Sequence, residues 1–542
     1  MNILRLLGAG SFKGLTNEIL VTLLAGLGNT VLIGIVNLAA EQSAFGRPVG
    51  LRLVVLYLLG FGVFYFAQQS SLRAANALLQ NRLTELNLRL AQKVLSAELR
   101  SVENIGRSRL LVTIGQETGY LARTFPLLAS AGQSLVLLAF CLGYIAILSI
   151  ESFFVVSAVT AVGLAFFALR RARLGRKMSE VHAQETRMLD MVSHVTDGFQ
   201  ELRLNADRND AIYAHAGALA DGLRTTVTGI GRDWTGLLMF SNAFLFALVG
   251  IVVFVLPMFF VGYTDVIYKI AAIAIFSVGP VNVVTSSAPM FDRANIGLGH
   301  VFALEQALEA AAQPAAPAAP RFGDFKRIRF EGVKYGYGRP PDDFLVGPLD
   351  LTLERGELVF LTGGNGAGKS TTLKLLCGLY VPTAGHIRID DTLLTADALQ
   401  GYRENFSCVF TDFHLFPRPF GVEDAAPERV RAILERLDLA RHVSFVDGAF
   451  STQALSTGQR KRLALAVALL EDRPIVLLDE FAADQDAVHR DMFYYEVLPQ
   501  LKREGKTILA VTHDDHYWSA ADRRIQLDFG RLSDAAPSGT QT

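Results

Sequence analysis

Charge is the first scarcity in this sequence. Only 19% of its 542 residues are Asp, Glu, Lys or Arg, against 51% hydrophobic, whereas soluble domains typically carry about 25% charge. The signs nearly cancel: 51 basic and 52 acidic residues give a formal net charge of −1. No global charge draws the chain to a polyanion and no long basic patch is present, which argues against a nucleic-acid partner. Cysteine is scarcer still. Cys141, Cys377 and Cys408 are the whole complement, and none sits in a CxxC spacing near a histidine. A zinc site is therefore not expected, and three reduced thiols are. No internal repeat is visible, and no cleavable secretory leader either. The first strong apolar run begins near Ile19 and is long enough to span, so it reads as a retained anchor.

What is present is apolar length, almost all of it before residue 300. Six stretches, about 18–40, 51–71, 127–149, 152–169, 235–261 and 264–289, each approach or exceed the ~20 residues that cross a hydrocarbon core as helix. Basic residues flank them unevenly: Arg5 and Lys13 before the first, Arg73, Arg82, Arg89 and Lys93 after the second, Arg170, Arg171, Arg173, Arg176 and Lys177 after the fourth. The short connections Ser149–Glu151 and Gly262–Tyr263 carry none, while 41–50 carries Arg47. Basic residues favour the cytoplasmic side, so both termini and the two long connections are expected there, in a multi-pass protein of a bilayer.

Those connections, 72–126 and 170–234, are polar and rich in helix formers. At ~1.5 Å per residue each has the length for two helical arms of roughly 35–45 Å, with turns expected near Glu103–Ser108 and Gly198–Asn205. The run AAAQPAAPAAP, Ala310–Pro320, has the low complexity of a semi-rigid linker. Beyond it, short β-rich runs (Ile328–Phe330, Leu358–Thr362, Ile387–Ile389, Ile475–Leu478, Thr507–Val511) alternate with helical stretches, the pattern of an α/β domain with a largely parallel sheet. The division expected is 1–309 for the membrane domain, 310–323 for the linker and 324–542 for the α/β domain.

Residues 358–376 read LVFLTGGNGAGKSTTLKLL, a buried strand, a GxxxxGK[ST] loop from Gly363 to Ser370, and a helix. Glycines let successive backbone N–H groups face a phosphate, and the helix start adds its positive end. Lys369 is placed to reach the β- and γ-phosphates of a nucleotide and the Ser370 hydroxyl to bind Mg²⁺. A second apolar strand delivers Asp479 and Glu480 at its end. Asp479 suits the metal through water, and Glu480 suits polarisation of the attacking water. A third element, Leu455-Ser456-Thr457-Gly458-Gln459-Arg460-Lys461-Arg462, presents a hydroxyl and free N–H groups at a helix start, an anion site or simply a capped helix.

This third segment resembles the LSGGQ signature of ATP-binding cassette transporters, with Thr457 at the third place. The resemblance covers the whole chain and implies an ABC-exporter-type six-helix membrane domain with cytoplasmic extensions, followed by a P-loop nucleotide-binding domain. It implies ATP contacts along Gly363, Gly364, Asn365, Gly366, Ala367, Gly368, Lys369, Ser370 and Thr371. It gives Tyr337 the adenine-stacking role, with Tyr335 as the alternative, and His513 the γ-phosphate contact. Asp486 matches the acidic end of the segment usually written SALD. Ser456, Thr457, Gly458 and Gln459 would act in trans, completing the site of a second copy, so a homodimer is expected. The segments YRENFSCVFTDFHLF, LSTGQRKRLAL and LLDEFAADQD resemble bacterial exporters of cyclic peptides and siderophore precursors, the group of pyoverdine- and syringomycin-type export proteins. DGFQELRLN and SRLLVTIGQE resemble its coupling turns.

Two departures stand out. The family's usual glutamine, four residues before Leu415-Phe416, is here Thr411, followed by Asp412; either has the chemistry to approach Mg²⁺ or the water. The stretch from Thr411 to Leu455 is also short for an exporter's helical subdomain. The reading is therefore an ATP-driven half-transporter in the bacterial cytoplasmic membrane, with ATP and Mg²⁺ as cofactors and a peptide or siderophore-like cargo. A siderophore importer of exporter-like fold and a membrane-anchored regulatory ATPase stay open. A combined maturation-and-export protein would need an N-terminal cysteine protease domain, and no cysteine precedes Cys141. Asn29, Asn37, Gln133, Asn242 and Asn282 inside the spans suit helix–helix hydrogen bonds or cargo contacts.

Overall fold

The computed structural model describes residues 2–8, 12–44, 47–259, 266–313, 322–338 and 344–533. The chain divides into two units, Met1–Leu95 with Ile105–Glu309, and Ser96–Asn104 with Ala310–Thr542. Residues 314–321 of the expected linker and the Gly262–Tyr263 connection lie outside the described residues.

Among its described residues the first unit is almost entirely helix, and its main helices are long. Leu51–Ser96 runs 46 residues, Ile150–Asp197 48 and Ala206–Gly250 45. Among the described residues, five helices are long and apolar enough to cross a membrane. The first of the six expected stretches, 18–40, lies in the helix Phe12–Ala44, for which only part of the side chains are described. Leu51–Ser96 shows why one helix serves two environments. Its first half exposes Leu58, Leu59, Val63 and Phe66, a surface that lipid would solvate and water would not. Its second half buries Leu79, Leu83, Leu86 and Leu90, a single face at helical spacing, packed with Leu121, Phe125, Leu298 and Val301. Alongside that seam, Lys93 pairs with Glu305 at 3.1 Å and Glu309 at 3.0 Å.

Within the spans Gln133 donates to the Ser71 hydroxyl at 3.0 Å, so this residue serves a helix–helix bond. The last helix, Ile267–Ala310, runs through both Pro280 and Pro289. The turns expected in the long connections are short helices. Leu99–Ile105 is followed by Gly106 at φ 82°, and Phe199–Leu204 lies between Gly198 and Asn205. The Asn205 side chain accepts from the Arg208 N–H at 3.0 Å, an N-cap that starts the next long helix.

The second unit holds twelve described strands: β1 Arg327–Gly336, β2 Leu345–Glu354, β3 Leu358–Gly363, β4 Ala384–Ile389, β5 Thr392–Leu393, β6 Phe406–Val409, β7 Phe445–Val446, β8 Ala449–Phe450, β9 Ile475–Asp479, β10 Thr507–Val511, β11 Arg523–Asp528 and β12 Arg531–Ser533. One sheet has the order β12-β11-β3-β10-β9-β6, parallel throughout except for β12. A second, antiparallel sheet has the order β2-β1-β4-β5. The parallel strands at its centre are buried on both faces, so β3, β9 and β10 read as unbroken apolar runs. β2 alternates buried and exposed residues, and β11 opens with Arg523-Arg524; neither gives an apolar run, and the sequence pattern misses both. The loop of interest leaves the carboxyl end of β3 between β10 and β11, where open α/β sheets bind ligands.

Candidate functional site

The loop after β3 is shaped by glycine. Gly363, Gly366 and Gly368 have φ of 151°, 76° and 99°, in the left-handed region that side chains disfavour. A Cβ on Gly363 would sit 2.2 Å from the Leu527 carbonyl oxygen, so the backbone requires glycine there. Gly368 precedes the helix Lys369–Leu376, whose first N–H groups face the loop. The Lys369 side chain is 6% exposed, and its Nζ donates to the carbonyls of Gly363 and Gly364 at 3.0 Å each. Burial lowers the Lys369 pKa, opposed by Glu480 and Asp479.

The two carboxylates at the end of β9 have different surroundings. Asp479 is 2% exposed, and its Oδ1 has no hydrogen-bond partner. Burial pushes its carboxyl above the ordinary range, against hydrogen bonds from Ser370 and Thr411. An orphaned, buried carboxylate oxygen beside a serine hydroxyl is a donor set that suits a hard divalent cation. Thr411 also donates to the Asp479 carbonyl at 3.3 Å, so the residue in the usual glutamine's place is tied to the end of β9, with Asp412 exposed beside it.

Asp479 carries a stability prediction. A carboxyl whose folded-state pKa is raised supports folding while protonated and opposes it as pH rises through that pKa. Asp479→Asn is therefore expected to raise the melting temperature of the nucleotide-free protein at pH 8 by about 2–4 °C, the shift ~1 kcal/mol produces in a domain of this size. A thermal melt of the two proteins side by side checks it; a lower melting temperature for the variant contradicts the reading of Asp479 as a strained acceptor.

Glu480 adopts φ 50°, rare for a residue with a side chain and often found where position matters. Its Oε1 lies 3.0 Å from His513 Nε2 and 3.9 Å from Lys369 Nζ. Its carbonyl accepts from Lys461 Nζ at 2.6 Å, and the same ammonium pairs with Asp484 at 2.8 Å. Lys461 has a side chain only 1% exposed. In the sequence it stands only as one residue of the Leu455–Arg462 segment, with no role of its own. Its one signal is its place in the first turn and a half of the helix that Ser456 starts.

Lys369, Ser370, Asp479, Glu480 and His513 thus come together. Ser456 and Gln459 do not join them: they form a capping box, Gln459 N–H to Ser456 Oγ at 3.3 Å and Ser456 N–H to Gln459 Oε1 at 3.1 Å, at the start of the helix Thr457–Leu470. A Cβ on Gly458 would meet the Asp484 carbonyl at 2.7 Å, and Gln485 donates to the Gly458 carbonyl at 3.1 Å. Asp486 caps the helix Ala487–Met492 and holds His489, Nδ1 to Oδ2 at 2.7 Å. Tyr337 sits at the far end of the phosphate loop, its hydroxyl 2.7 Å from Thr371 Oγ1. Tyr335 is buried and stacks on Tyr380, centroids 4.7 Å apart, so of the two tyrosines Tyr337 is the more open to a ligand.

The chain is similar to known proteins. The ABC transporter family model matches residues 346–483. The ATP-binding protein SyrD of Pseudomonas syringae pv. syringae is 32% identical over 550 residues, covering 98% of this chain and 95% of that protein. The ATP-dependent lipid A-core flippase of Chromohalobacter salexigens is 29% identical, over 39% of this chain and 38% of that protein. Among solved structures, a bacterial Atm1-family ABC exporter with ATP bound has a TM-score of 0.78 at 17% identity, covering 96% of this chain and 94% of that one; at that identity the likeness is one of fold.

Proposed function

The chain belongs to the ABC transporter family, with an exporter-type fold and ATP hydrolysis coupled to transport, and on that premise we propose that it works as a homodimer in the bacterial cytoplasmic membrane, exporting a peptide or siderophore precursor. The observation that carries the cargo class is the extent of the likeness. SyrD aligns along nearly the whole chain, membrane part included, whereas the flippase aligns over 39% of it. The segments YRENFSCVFTDFHLF, LSTGQRKRLAL and LLDEFAADQD support the same group.

In this reading, ATP lies along the Gly363–Ser370 loop with adenine against Tyr337. Loop N–H groups and Lys369 hold the phosphates; Ser370, and Asp479 through water, would hold Mg²⁺, with Asp412 a further candidate ligand beside Thr411. The metal, when bound, neutralises phosphate charge. Glu480 accepts a proton from a water as its oxygen bonds to the γ-phosphorus, and the bond to the ADP oxygen breaks with its electron pair leaving on ADP. His513 orients Glu480 and faces the γ-phosphate, while Lys461 fixes the backbone from which Glu480 projects. Ser456, Thr457, Gly458 and Gln459 of the second copy close the site, with the positive end of their helix toward the phosphates. The termini and nucleotide domain lie on the cytoplasmic side.

Everted vesicles containing the transporter test cargo and direction together. ATP-dependent uptake of a labelled cyclic peptide or siderophore precursor, abolished by vanadate, is expected. Accumulation only in right-side-out vesicles would indicate import. ATPase activity indifferent to every such compound, together with a tight protein complex, would favour a regulatory ATPase.

A further inference from the structure

Nine residues from the middle of the N-terminal half, Ser96–Asn104, cluster with the nucleotide-binding unit rather than with the long helices on either side of them. The contacts that seat them are specific. Ala97 forms a β-bridge with Ala312, framed by Glu98 N–H to the Ala311 carbonyl at 2.9 Å and Gln313 N–H to the Ser96 carbonyl at 3.0 Å. The Glu103 carboxylate accepts from Lys374 at 3.1 Å and from the Tyr380 hydroxyl at 2.7 Å. Burial and that carboxylate both raise the Tyr380 pKa, so the phenol stays protonated and donating. Lys374 lies in the last turn of the phosphate-loop helix, which ties the segment to the far end of that helix.

Arg100 makes the contact that matters. Its guanidinium donates to the Tyr337 carbonyl at 2.6 Å and lies over the Tyr337 ring, 4.8 Å from the centroid. One residue therefore fixes both the backbone and one face of the aromatic proposed to stack on adenine. The ring is otherwise steadied through its hydroxyl by Thr371 and approached edge-on by Tyr335 and Tyr380. A cation on one face leaves the opposite face for a base, and it polarises the ring for stacking. We infer that Arg100 is a positioning residue for the nucleotide: by holding Tyr337 at its carbonyl and ring face, it sets the affinity for ATP from a segment outside the ATP-binding motifs. This rests on the adenine role proposed for Tyr337.

The test is the ATP dependence of hydrolysis by the full chain in proteoliposomes. Arg100→Ala is expected to raise KM for ATP about ten-fold with kcat changed by less than about two-fold, since it removes binding rather than chemistry. Arg100→Lys, which keeps a cation over the ring, is expected to recover more than half of that loss. Tyr337→Ala is expected to raise KM by at least as much, and adding Arg100→Ala to it should cost nothing further, because the two act through one contact. An unchanged or lowered KM in Arg100→Ala, with KM raised in Tyr337→Ala, overturns the role of Arg100 alone. An unchanged KM in Tyr337→Ala overturns the adenine assignment itself. A merely structural arginine would reduce the amount of folded protein and kcat without moving KM, and Lys would not rescue it selectively.

Discussion

Glu480→Gln is expected to lower steady-state ATP hydrolysis by about 10²–10⁴-fold, the usual worth of a positioned general base, while ATP binding persists and the protein accumulates as a nucleotide-bound dimer. The substitution keeps the shape and the hydrogen bond toward His513 Nε2, 3.0 Å away, and removes only the capacity to draw a proton from water. It leaves untouched the Lys461 bond to the Glu480 carbonyl at 2.6 Å, so the strained φ of 50° stays supported and the fold is not expected to suffer. Loss of binding together with turnover would place Glu480 in the binding machinery instead. Undiminished hydrolysis would move the catalytic base elsewhere. The measurement is phosphate release alongside size analysis in ATP.

Lys369→Met carries the second large effect. The ammonium is nearly buried and bonds to the carbonyls of Gly363 and Gly364 at 3.0 Å. Those are oxygens of the loop proposed to hold the nucleotide, so the ammonium is already held against that loop. A hydrogen bond to a charged group is worth about 1.5–3 kcal/mol, which corresponds to a loss of roughly ten- to hundred-fold in ATP affinity. Methionine matches the length and apolar stem, and the loop's own geometry rests on Gly363, Gly366 and Gly368, so the domain is expected to stay folded. Equilibrium binding of a fluorescent ATP analogue reads the effect; affinity within about two-fold of the parent would mean that the backbone N–H groups hold the phosphates without it.

How much of this the sequence disclosed depended on where the signal was local. The P-loop, the Asp479-Glu480 strand end and the six apolar stretches are each contiguous. They gave the membrane-plus-nucleotide architecture and the family, and the central strands β3, β9 and β10 were visible because burial on both faces makes them unbroken apolar runs. The antiparallel sheet stayed hidden where β2 alternates in burial. Contacts between distant positions left no local trace. Lys461 reaches Glu480 from 19 residues away and Arg100 reaches Tyr337 from 237. A lone basic residue on a helix reads as solvated in a sequence, and only packing shows that Lys461 is buried beneath the end of β9. Ser456 was legible as a helix cap, and the capping box with Gln459 bears that plain reading out without deciding what else the helix start faces.

The proposed homodimer rests on a phosphate site that takes a second chain to complete. Two damaged chains test it directly. Lys369→Met removes the phosphate grip and leaves the signature helix intact. Ser456→Asp keeps a good N-cap but sets a carboxylate where a second copy's phosphates would lie. Each variant alone is expected to hydrolyse ATP at background. Co-expressed in equal amounts, half of the random dimers contain one of each chain, and in those one site combines an intact loop with an intact signature. Hydrolysis should then return to about a quarter of the parent rate, half the dimers with one working site of two. A mixture that stays at the level of the two variants measured separately would mean that each ATP site is built within a single chain, and the homodimeric account would fall.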